Sequence, residues 1–468
     1  MSQQAESAGS VAQPVSRKYE TRGIEYIPDG ERWGKPRGLF WMWSGATFNV
    51  EFFVYGALGI VAFKLSFFQA LAMIAIGSLF WILTGLCSLQ APSTGTTAFA
   101  ISRAPFGPYG NRLPSIFNWI TQVGFEIEGI ALVVLAAIAL TSQAGFTANL
   151  PTKIIYIIVA VLIQATLPMI GHKAVLKVLR WITLPFVALF VVMAILTISK
   201  ANIHAASPGG WGSMMGYLAL VISAGGLGFT ENANDYSRYL PTHSSKWRIV
   251  ASVALGGAIP SLLLEGLGSA VATGVHDAGT LNGLAHAFPA WFVWPYLIFA
   301  IAQILAINSV DLYSSGVTLQ SIFARISRVH CVAIDTVVCG ALAAYAVFSS
   351  QFTTLLSNFL LFIIIWLAPW CGIFLVDAWL RHGRYDHNSL LDDRAGLYHG
   401  RTGVHWPGIV ALGIGMVASV SWLNAYPVYV SPLSSLAGGS DFSVFMGLVC
   451  GGFCYWLIAR GSVRRQLG

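Results

Sequence analysis

The sequence predicts an all-α polytopic membrane protein, and three observations support that prediction. The chain has 468 residues, of which 56% are hydrophobic and only 10% are charged, whereas about a quarter of the residues in a soluble globular protein are charged. Its apolar segments reach the roughly 20 residues that a helix needs to cross the hydrocarbon core of a bilayer. The basic residues are concentrated in alternate connections between these segments, as the positive-inside rule expects.

Twelve apolar segments follow one another from residue 39 almost to the C-terminus, and each is predicted to be a transmembrane helix. Little sequence remains between them, so no separate soluble domain is expected. Residues 1–38 are polar and lack the apolar core of a signal peptide, so they are expected to form a cytoplasmic tail, as are residues 461–468. The predicted spans are 39–63, 69–90, 116–141, 153–171, 181–199, 213–235, 249–274, 293–320, 331–349, 354–380, 405–425 and 442–460.

The basic residues predict the orientation of these helices. Of the 26 Lys and Arg residues, 23 fall on the side of the N-terminus, and the other three are Lys64, Lys153 and Lys200. This asymmetry predicts that both termini are cytoplasmic and that the protein lies in the inner or plasma membrane. It also accounts for the net charge of +7 as charge spread along one membrane face, so nucleic-acid binding is not expected.

Two of the apolar segments are interrupted by glycine and polar residues. The first contains SGATFNVEFFVYG at 44–56, and the sixth contains ISAGGLGFTENANDYSRYLP at 222–241, with glycines at 225, 226 and 228. Glycine weakens a helix interior, and interrupted helices in corresponding halves of a chain point to an inverted-repeat transporter site. Close helix packing is the alternative reason for the glycines.

Carboxylates inside the predicted spans are the second sign of a polar site. An Asp at the centre of a transmembrane helix costs about 2.5–3.5 kcal/mol on insertion scales, and such residues usually face a cavity or a partner. Almost no Lys or Arg lies at matching depth. Glu51, Glu126 and Asp311 lie near mid-span and are the predicted site residues, whereas Glu128 is on a different helix face from Glu126 and ranks below it.

The remaining intramembrane acids are interpreted differently. Asp335 and Asp377 lie near cytoplasmic helix ends with arginines close in sequence, so structural ion pairs are expected there. Asp235 precedes Arg238 by three residues and is expected to cap a helix or form an ion pair. For Glu265 a site role and a structural role stay equally open.

Several motifs resemble the nucleobase:cation symporter family of the first class, which includes purine–cytosine permeases. The motifs appear in family order over nearly the whole chain. They are IPDGERWGKPRGLFWMW at 27–43, TQVGF at 121–125, NDYSRYLP at 234–241, NSVDLYSSG at 308–316 and WLAPWCGIFLVD at 366–377.

This resemblance implies a leucine-transporter-type fold that works by alternating access. Two inverted five-helix repeats are expected at 39–200 and 201–385, followed by two additional helices within 386–460. The substrate is expected between spans 1, 3, 6 and 8, with an ion site between spans 1 and 8. No cofactor is implied.

The resemblance also assigns roles to individual residues. Gln122 and Phe125 match positions where the family uses Gln and a stacking aromatic. Gly225, Gly226 and Gly228 replace residues that include an aromatic in cytosine carriers, which makes Phe229 the candidate ring. Asn308 matches an Asn near ion and substrate, and Asp311 stands where Asn is frequent. With Glu51 and Glu126, these residues form the predicted substrate site.

The coupling ion stays open between sodium and a proton. A sodium site would use backbone carbonyls near Phe48 and Leu305, with the Asn308 side chain as a further ligand. A proton-coupled carrier would instead titrate Glu51 or Asp311.

We therefore expect a secondary active symporter that imports a nucleobase or related planar N-heterocycle with a cation. The same fold carrying another solute, such as an amino acid, an amine or a vitamin precursor, is the alternative. The chain is not expected to be an enzyme, since the sequence contains neither HExxH nor GxSxG.

Overall fold

The computed structural model describes residues 24–166, 172–205, 209–275, 277–322, 328–349, 351–392 and 394–467. Within these ranges the chain is almost entirely helical, apart from one short antiparallel hairpin, β1 (Asn424–Ala425) and β2 (Tyr429–Val430), in which Asn424 pairs with Val430. Most of the predicted N-terminal tail, residues 1–23, lies outside the described residues.

The helices of the described residues fall within or beside the predicted spans. In chain order they are α1 (Pro36–Thr47), α2 (Val50–Val61), α3 (Phe67–Ser78), α4 (Trp81–Cys87), α5 (Ala91–Thr94), α6 (Ala98–Ile101), α7 (Arg103–Phe106), α8 (Arg112–Gln143), α9 (Leu150–Gln164), α10 (His172–Thr197), α11 (Trp211–Ile222), α12 (Ala233–Ser237), α13 (Lys246–Ala272), α14 (Leu281–Ala287), α15 (Ala290–Ile322), α16 (Arg328–Phe348), α17 (Phe352–Phe362), α18 (Ile364–Leu380), α19 (His387–Leu391), α20 (Trp406–Val420), α21 (Pro432–Leu436) and α22 (Ser443–Leu467).

Seven helical segments of the described residues are long and apolar enough to cross a membrane, and the bent pair α1–α2 makes an eighth. The seven are Phe67–Thr94, Arg112–Gln143, Lys246–Ala272, Ala290–Gln320, His330–Phe348, Phe352–Leu380 and Ser443–Leu467. Shorter apolar helices occupy four further predicted spans, at Leu150–Gln164, Leu184–Thr197, Trp211–Leu227 and Trp406–Val420. The chain is therefore an all-α polytopic membrane protein.

Packing places the long helices α8 and α15 against each other through the middle of the molecule. Helix α13 packs against both α1 and α2, while α18, α20 and α22 form a separate group. The interrupted segments thus lie beside the long helices that carry most of the intramembrane acids.

The predicted ion pair at Asp377 is confirmed. Arg381 Nε donates to both carboxylate oxygens of Asp377 at 2.9 Å, and the hydroxyls of Tyr455 and Tyr385 donate to the same carboxylate at 2.7 and 3.0 Å. All these groups are protein partners, so Asp377 has a structural role in joining α18 to α22.

Asp335 and Asp235 accept hydrogen bonds from neighbouring elements. The Trp119 indole and the Ser315 hydroxyl donate to Asp335, the latter at 2.7 Å. The arginines expected to pair with Asp335, at positions 325 and 328, have side chains outside the described residues. Asp235 accepts from the backbone N–H of Ala98 at 3.1 Å at the start of α6, which confirms the predicted capping role.

Candidate functional site

The first interrupted segment bends by 57° between α1 and α2. Asn49 lies at the bend with extended backbone angles, and its Oδ1 accepts from the backbone N–H groups of Glu51 at 2.8 Å and Phe52 at 3.2 Å. Its Nδ2 donates to the carbonyl of Ala46 at 2.8 Å and to Glu51 Oε2 at 3.2 Å. One buried side chain therefore ends α1 and begins α2, which is the role of a helix N-cap.

The second interruption is longer. Helix α11 ends at Ile222, residues 223–227 form a π-helical turn, and α12 begins only at Ala233. Within the π turn, Gly225 has non-helical angles of φ −108° and ψ −114°. The carbonyl of Gly226 leaves the helical pattern and accepts from the Thr84 hydroxyl at 2.6 Å. The predicted breaks in the first and sixth spans are both confirmed.

The glycines of this second break serve close packing. A Cβ on Gly226 would lie 2.2 Å from the backbone of Phe80 and Trp81, and one on Gly228 would lie 2.3 Å from the carbonyl oxygen of Ser223. A Cβ on Gly225 would lie 3.3 Å from the Trp81 indole nitrogen. The packing alternative that the sequence left open therefore accounts for Gly226 and Gly228.

A buried polar cluster joins α8 to the chain after the second break. Gln122 Nε2 donates to Glu231 Oε1 and to Asn232 Oδ1, the latter at 2.9 Å. In the amide orientation that satisfies its neighbours, Asn118 donates to the Glu231 carboxylate and accepts from the Thr318 hydroxyl at 2.8 Å. Within the described ranges, the amide oxygen of Gln122 has no hydrogen-bond partner.

Aromatic rings gather beside this cluster. Phe229 stacks on Trp81 with ring centroids 5.3 Å apart and meets Trp43 edge-on at 5.5 Å. The Trp43 indole N–H is buried and unpartnered among the described residues. Phe229, which the sequence predicts as a site ring, is buried between Trp81 and Phe52. The structure places Phe125 elsewhere, edge-on to Phe359 at 5.2 Å.

Asp311 is an electrostatic neighbour of four other intramembrane acids. Glu51, Glu126, Glu128 and Glu231 are each close enough to experience its charge. Glu51 retains 8% exposure and Asp311 6%, whereas Glu126 has none.

The two glutamates of α8 face different neighbours. Glu128 accepts from the Tyr55 hydroxyl of α2 at 2.7 Å, which directs it toward the first break. Glu126 accepts from Cys339 Sγ of α16 at 3.0 Å. The sequence ranked Glu126 above Glu128 as a site residue. Of the two, Glu128 contacts α2, which follows the first break, whereas Glu126 contacts α16.

Asn308 points toward α8 and α9. Its Nδ2 donates to the carbonyl of Glu126 at 3.2 Å and to Gln164 Oε1 at 3.0 Å. A Cβ placed on Gly129 would lie only 2.0 Å from Asn308 Oδ1. Both hydrogen-bond partners of Asn308 belong to α8 and α9, not to the first break that carries Phe48.

A cavity of about 980 Å³ lies at the end of the molecule where α2 finishes. It is lined by the first residues of α11 and α17 and by the loop that carries the β hairpin, including Phe63, Trp211, Asn358 and Asn424. This cavity provides a vestibule on one side of the interrupted helices.

Sequence comparison identifies the family. Residues 26–447 match the family described as permease for cytosine/purines, uracil, thiamine, allantoin. The chain belongs to this family. Its members are permeases, so the chain is a membrane transporter and not an enzyme.

Two similar relatives extend over nearly the whole permease. A putative purine-cytosine permease, YxlA of Bacillus subtilis (strain 168), is 28% identical over 466 residues, covering 96% of this chain and 98% of the relative. The purine-cytosine permease fcyB of Emericella nidulans is 26% identical over 461 residues, covering 93% and 87%.

A solved structure shares the fold of this permease. Mhp1, a nucleobase-cation-symport-1 family transporter in a closed conformation with bromovinylhydantoin bound, superposes with a TM-score of 0.77 at 17% identity. The match covers 96% of this chain and 99% of Mhp1. An inward-facing conformation of Mhp1 gives a TM-score of 0.71.

Sequence reasoning missed several residues of the site. Asn118 lies four residues before Gln122, so i,i+4 spacing on one helix face would have found it. Glu231 is an acid within the predicted sixth span that the sequence analysis did not select, and Asn232 follows it directly. Trp43 carried no signal, because an indole in an apolar segment resembles any core residue.

Proposed function

We propose that this permease imports a nucleobase or similar planar N-heterocycle, together with a cation, by alternating access around the two interrupted helices. The observation that supports this proposal most directly is the buried polar cluster of Gln122, Glu231 and Asn232, in which the amide oxygen of Gln122 has no partner among the described residues. Amides and a carboxylate offer both donors and acceptors. Phe229, two residues before Glu231, belongs to a packed group of rings with Trp81, Trp43 and Phe52.

The chemistry of a nucleobase matches these groups. Its two π faces stack on aromatic rings, and such contacts contribute about 0.5–1.5 kcal/mol beyond burial. Its edge carries N–H donors and carbonyl or ring-nitrogen acceptors. The buried Gln122 oxygen and the Trp43 indole N–H, both unpartnered among the described residues, supply one acceptor and one donor for that edge.

The acidic surroundings favour a substrate rich in N–H donors. Glu51, Glu128 and Glu231 each lie within electrostatic reach of Asp311, and a carboxylate accepts strongly from a ring N–H. An aminopurine or a positively charged heterocycle therefore suits this site better than a heterocycle with mainly carbonyl groups.

Twelve spans and an inverted repeat complete the proposed architecture. Eight segments are long and apolar enough to cross a membrane, and four shorter apolar helices lie at the other predicted spans. Together they support the count of twelve. We assign the first repeat to residues 39–200, the second to 201–385 and the additional helices to 386–460. The two breaks then occupy the first helix of each repeat, as is typical of such carriers.

The proposed orientation places both termini in the cytoplasm and the vestibule on the outside. Lys200 and Arg401 are both exposed and lie on opposite proposed faces. Cysteine placed at residue 200 should react with a membrane-impermeant maleimide in intact cells, while cysteine at residue 401 should react only after permeabilisation. The reverse pattern would contradict the orientation.

Uptake by the purified permease in proteoliposomes tests the function. Radiolabelled adenine, hypoxanthine and cytosine should accumulate when sodium and proton gradients are imposed together, and unlabelled purines should compete where amino acids do not. If amino acids or vitamin precursors compete and nucleobases do not, the same fold carries a different solute.

Two variants connect that uptake to the polar cluster. Gln122→Ala and Glu231→Gln should each reduce uptake at least about tenfold, a loss that corresponds to about 1.4 kcal/mol of transition-state stabilisation. Gln143→Ala is the matched control, since Gln143 lies at the far end of the same helix and donates to the carbonyl of Ala285 at 3.1 Å. Equal effects of all three substitutions on uptake would show that the cluster is not part of the substrate site.

A further inference from the structure

A second pocket, which we call the side pocket, lies between α8, α16 and α17. Its volume is about 280 Å³, close to the lower end of the roughly 300–1,000 Å³ range of small-molecule sites. Apolar and aromatic side chains form most of its wall, and Glu128 is the one charged residue among the described residues that line it. Its wall includes Ile127, Glu128, Leu342, Ala346, Leu356 and Phe359.

The side pocket opens toward the bilayer. Each residue described in its wall belongs to one of three segments long and apolar enough to cross a membrane, Arg112–Gln143, His330–Phe348 and Phe352–Leu380. At its rim, Tyr345 is 72% exposed and Leu342 is 47% exposed. A molecule dissolved in the lipid can therefore reach the side pocket without passing through the aqueous vestibule.

Glu128 gives this apolar pocket one charged group. Its Oε1 accepts from the Tyr55 hydroxyl at 2.7 Å. Its Oε2 is buried and has no hydrogen-bond partner among the described residues, and the whole residue is only 4% exposed. A buried acceptor without a donor is destabilising, so a ligand that brings a donor to this oxygen would be bound favourably.

The aromatic part of the wall depends on a glycine of α8. A Cβ on Gly124 would lie 2.2 Å from the ring of Phe359, so the glycine allows this ring to lie directly against α8. Phe125, which the sequence predicts as a substrate-stacking ring, meets the same Phe359 ring edge-on at 5.2 Å. Phe125 therefore supports the wall of the side pocket.

We propose that the side pocket binds an apolar primary amine that enters from the bilayer, with its ammonium group on Glu128 and its hydrocarbon part against α16 and α17. Carboxylates inside a membrane usually pair with such a partner, and a charge-assisted hydrogen bond is about twice as strong as a neutral one. An alcohol would supply the donor without the charge, and a fatty acid would bring a second negative charge. Whether the amine or the carboxyl carries the proton beforehand, contact leaves one proton between them and forms the same ion pair.

Helix α17 separates the side pocket from the vestibule. Thr354 and Asn358 line the vestibule, whereas the residues that follow them directly, Leu355 and Phe359, line the side pocket. A ligand in the side pocket would hold α17 against α8 and α16 from behind. We therefore expect the amine to slow transport without competing for the substrate, and only this consequence rests on the proposed function.

Equilibrium binding tests the side pocket without any transport. Tritiated phenylbutylamine should bind saturably to the full-length permease in lipid nanodiscs, above its uptake by empty nanodiscs. Unlabelled phenylbutylamine should compete at least about tenfold more strongly than phenylbutanol, because hydrogen bonds to charged groups contribute more than neutral ones. Equal competition by the two compounds would overturn the amine assignment, and the absence of saturable binding would overturn the site.

Filling the pocket tests its location. Ala346→Phe places a ring inside the wall, at a residue that is 8% exposed, and should abolish saturable amine binding. Ala341→Phe is the matched control, since Ala341 is an exposed residue of the same helix outside the described wall, and this variant should bind like the wild type. Thermal unfolding of both variants shows whether each is folded. Unchanged binding by a folded Ala346→Phe variant would overturn the site.

A second variant tests the ion pair even if Ala346→Phe does not fold. Glu128→Gln keeps the size of the side chain and removes its charge. It should weaken phenylbutylamine binding at least about tenfold and leave phenylbutanol binding nearly unchanged. Equal losses for the amine and the alcohol would overturn the pairing with Glu128.

Two further measurements separate the side pocket from the substrate site. Gln122→Ala should retain phenylbutylamine binding, and excess adenine should not displace the amine; either loss would place the amine at the substrate site and overturn the proposal. In proteoliposomes, phenylbutylamine should lower the maximal rate of adenine uptake several-fold and leave its KM unchanged, whereas a raised KM at an unchanged maximal rate would contradict a separate site. If adenine is not taken up at all, the substrate assignment fails, while the binding measurements on Ala346→Phe and Glu128→Gln still decide the side pocket.

Discussion

The backbone groups exposed at the two helix breaks are satisfied by different interactions. The first break is a sharp bend made by one side chain, because Asn49 satisfies both the end of α1 and the start of α2. The second extends from Ser223 to Asn232, and its carbonyl at Gly226 is satisfied by Thr84 of another helix. The first is therefore determined locally and the second by packing.

This difference suggests how each break responds during transport. A bend that depends on Asn49 can change when the charge of its neighbour Glu51 changes, since both belong to one hydrogen-bond network. A break clamped against Phe80 and Trp81 has little room to move at Gly226. The second break is thus expected to be the more rigid of the two.

The largest stability effect is expected at the packed break. Gly226→Ala should destabilise the protein near the upper end of the about 1–3 kcal/mol typical of overpacking, because its Cβ would lie 2.2 Å from the backbone of Phe80 and Trp81. Thermal unfolding in detergent measures this. Gly413→Ala in α20 is the control, since a Cβ there meets nothing within 4 Å. Equal melting shifts would contradict the clamp.

The capped break should be somewhat less sensitive. Asn49→Ala leaves the N–H groups of Glu51 and Phe52 without their acceptor, and loss of an N-cap costs about 0.5–2 kcal/mol. Thermal unfolding again gives the value. Asn149→Ala is a matched control, because Asn149 caps α9 through Thr152 at an exposed position where water replaces the lost bond. A larger loss at residue 149 would show that the bend does not depend on its cap.

The two glutamates of α8 give a sharper comparison through transport. Glu128→Gln should reduce uptake about tenfold, equivalent to about 1.4 kcal/mol, because Glu128 contacts Tyr55 of α2, which follows the first break. Glu126→Gln should reduce it less, since Glu126 faces Cys339. Uptake rates normalised to protein amount decide between them, and a stronger effect of Glu126→Gln would restore the ranking that the sequence favoured.

The smallest effect on stability is expected at Asp29, outside the membrane. There the chain before the first broken segment contacts the chain after the second. The backbone N–H of Thr242 donates to Asp29 at 2.9 Å, and this bond, with the nearby Arg32 charge, lowers the pKa of Asp29. A lowered folded-state pKa stabilises the protein above the unfolded pKa, and that contribution is lost as pH falls through the folded value.

Substitution of Asp29 tests this connection. Asp29→Asn should lower the melting temperature slightly at neutral pH, and the difference from wild type should shrink as the pH falls below the usual Asp pKa of about 3.9 and the Asp29 carboxylate becomes protonated. If the difference in melting temperature persisted in acid, the charge of the Asp29 carboxylate would not be what stabilises this contact.

Much of the fold was predictable because the composition and the length of the apolar segments indicate it. Every predicted span contains a helix within the described residues, since long apolar segments in a bilayer have few alternatives to helix. Both breaks were also predictable, because glycines and buried polar residues interrupt the apolar pattern at 44–56 and 222–241.

The individual roles of the site residues were less predictable. The sequence predicted Gln122, Phe229 and Asp311 as site residues and ranked Glu126 above Glu128, although the last two lie only two residues apart. Their directions depend on which helix packs against each face of α8, and that is a property of the assembled bundle.

By itself, the sequence determined the membrane-spanning helices, the two breaks and the presence of buried carboxylates, since each follows from local composition. Only the tertiary structure decided which partners those groups meet. Gln303 reaches Gly45 across 258 residues of sequence, and Thr84 reaches Gly226 across 142. A hydrogen bond over such a separation depends on helix packing, which no local pattern encodes.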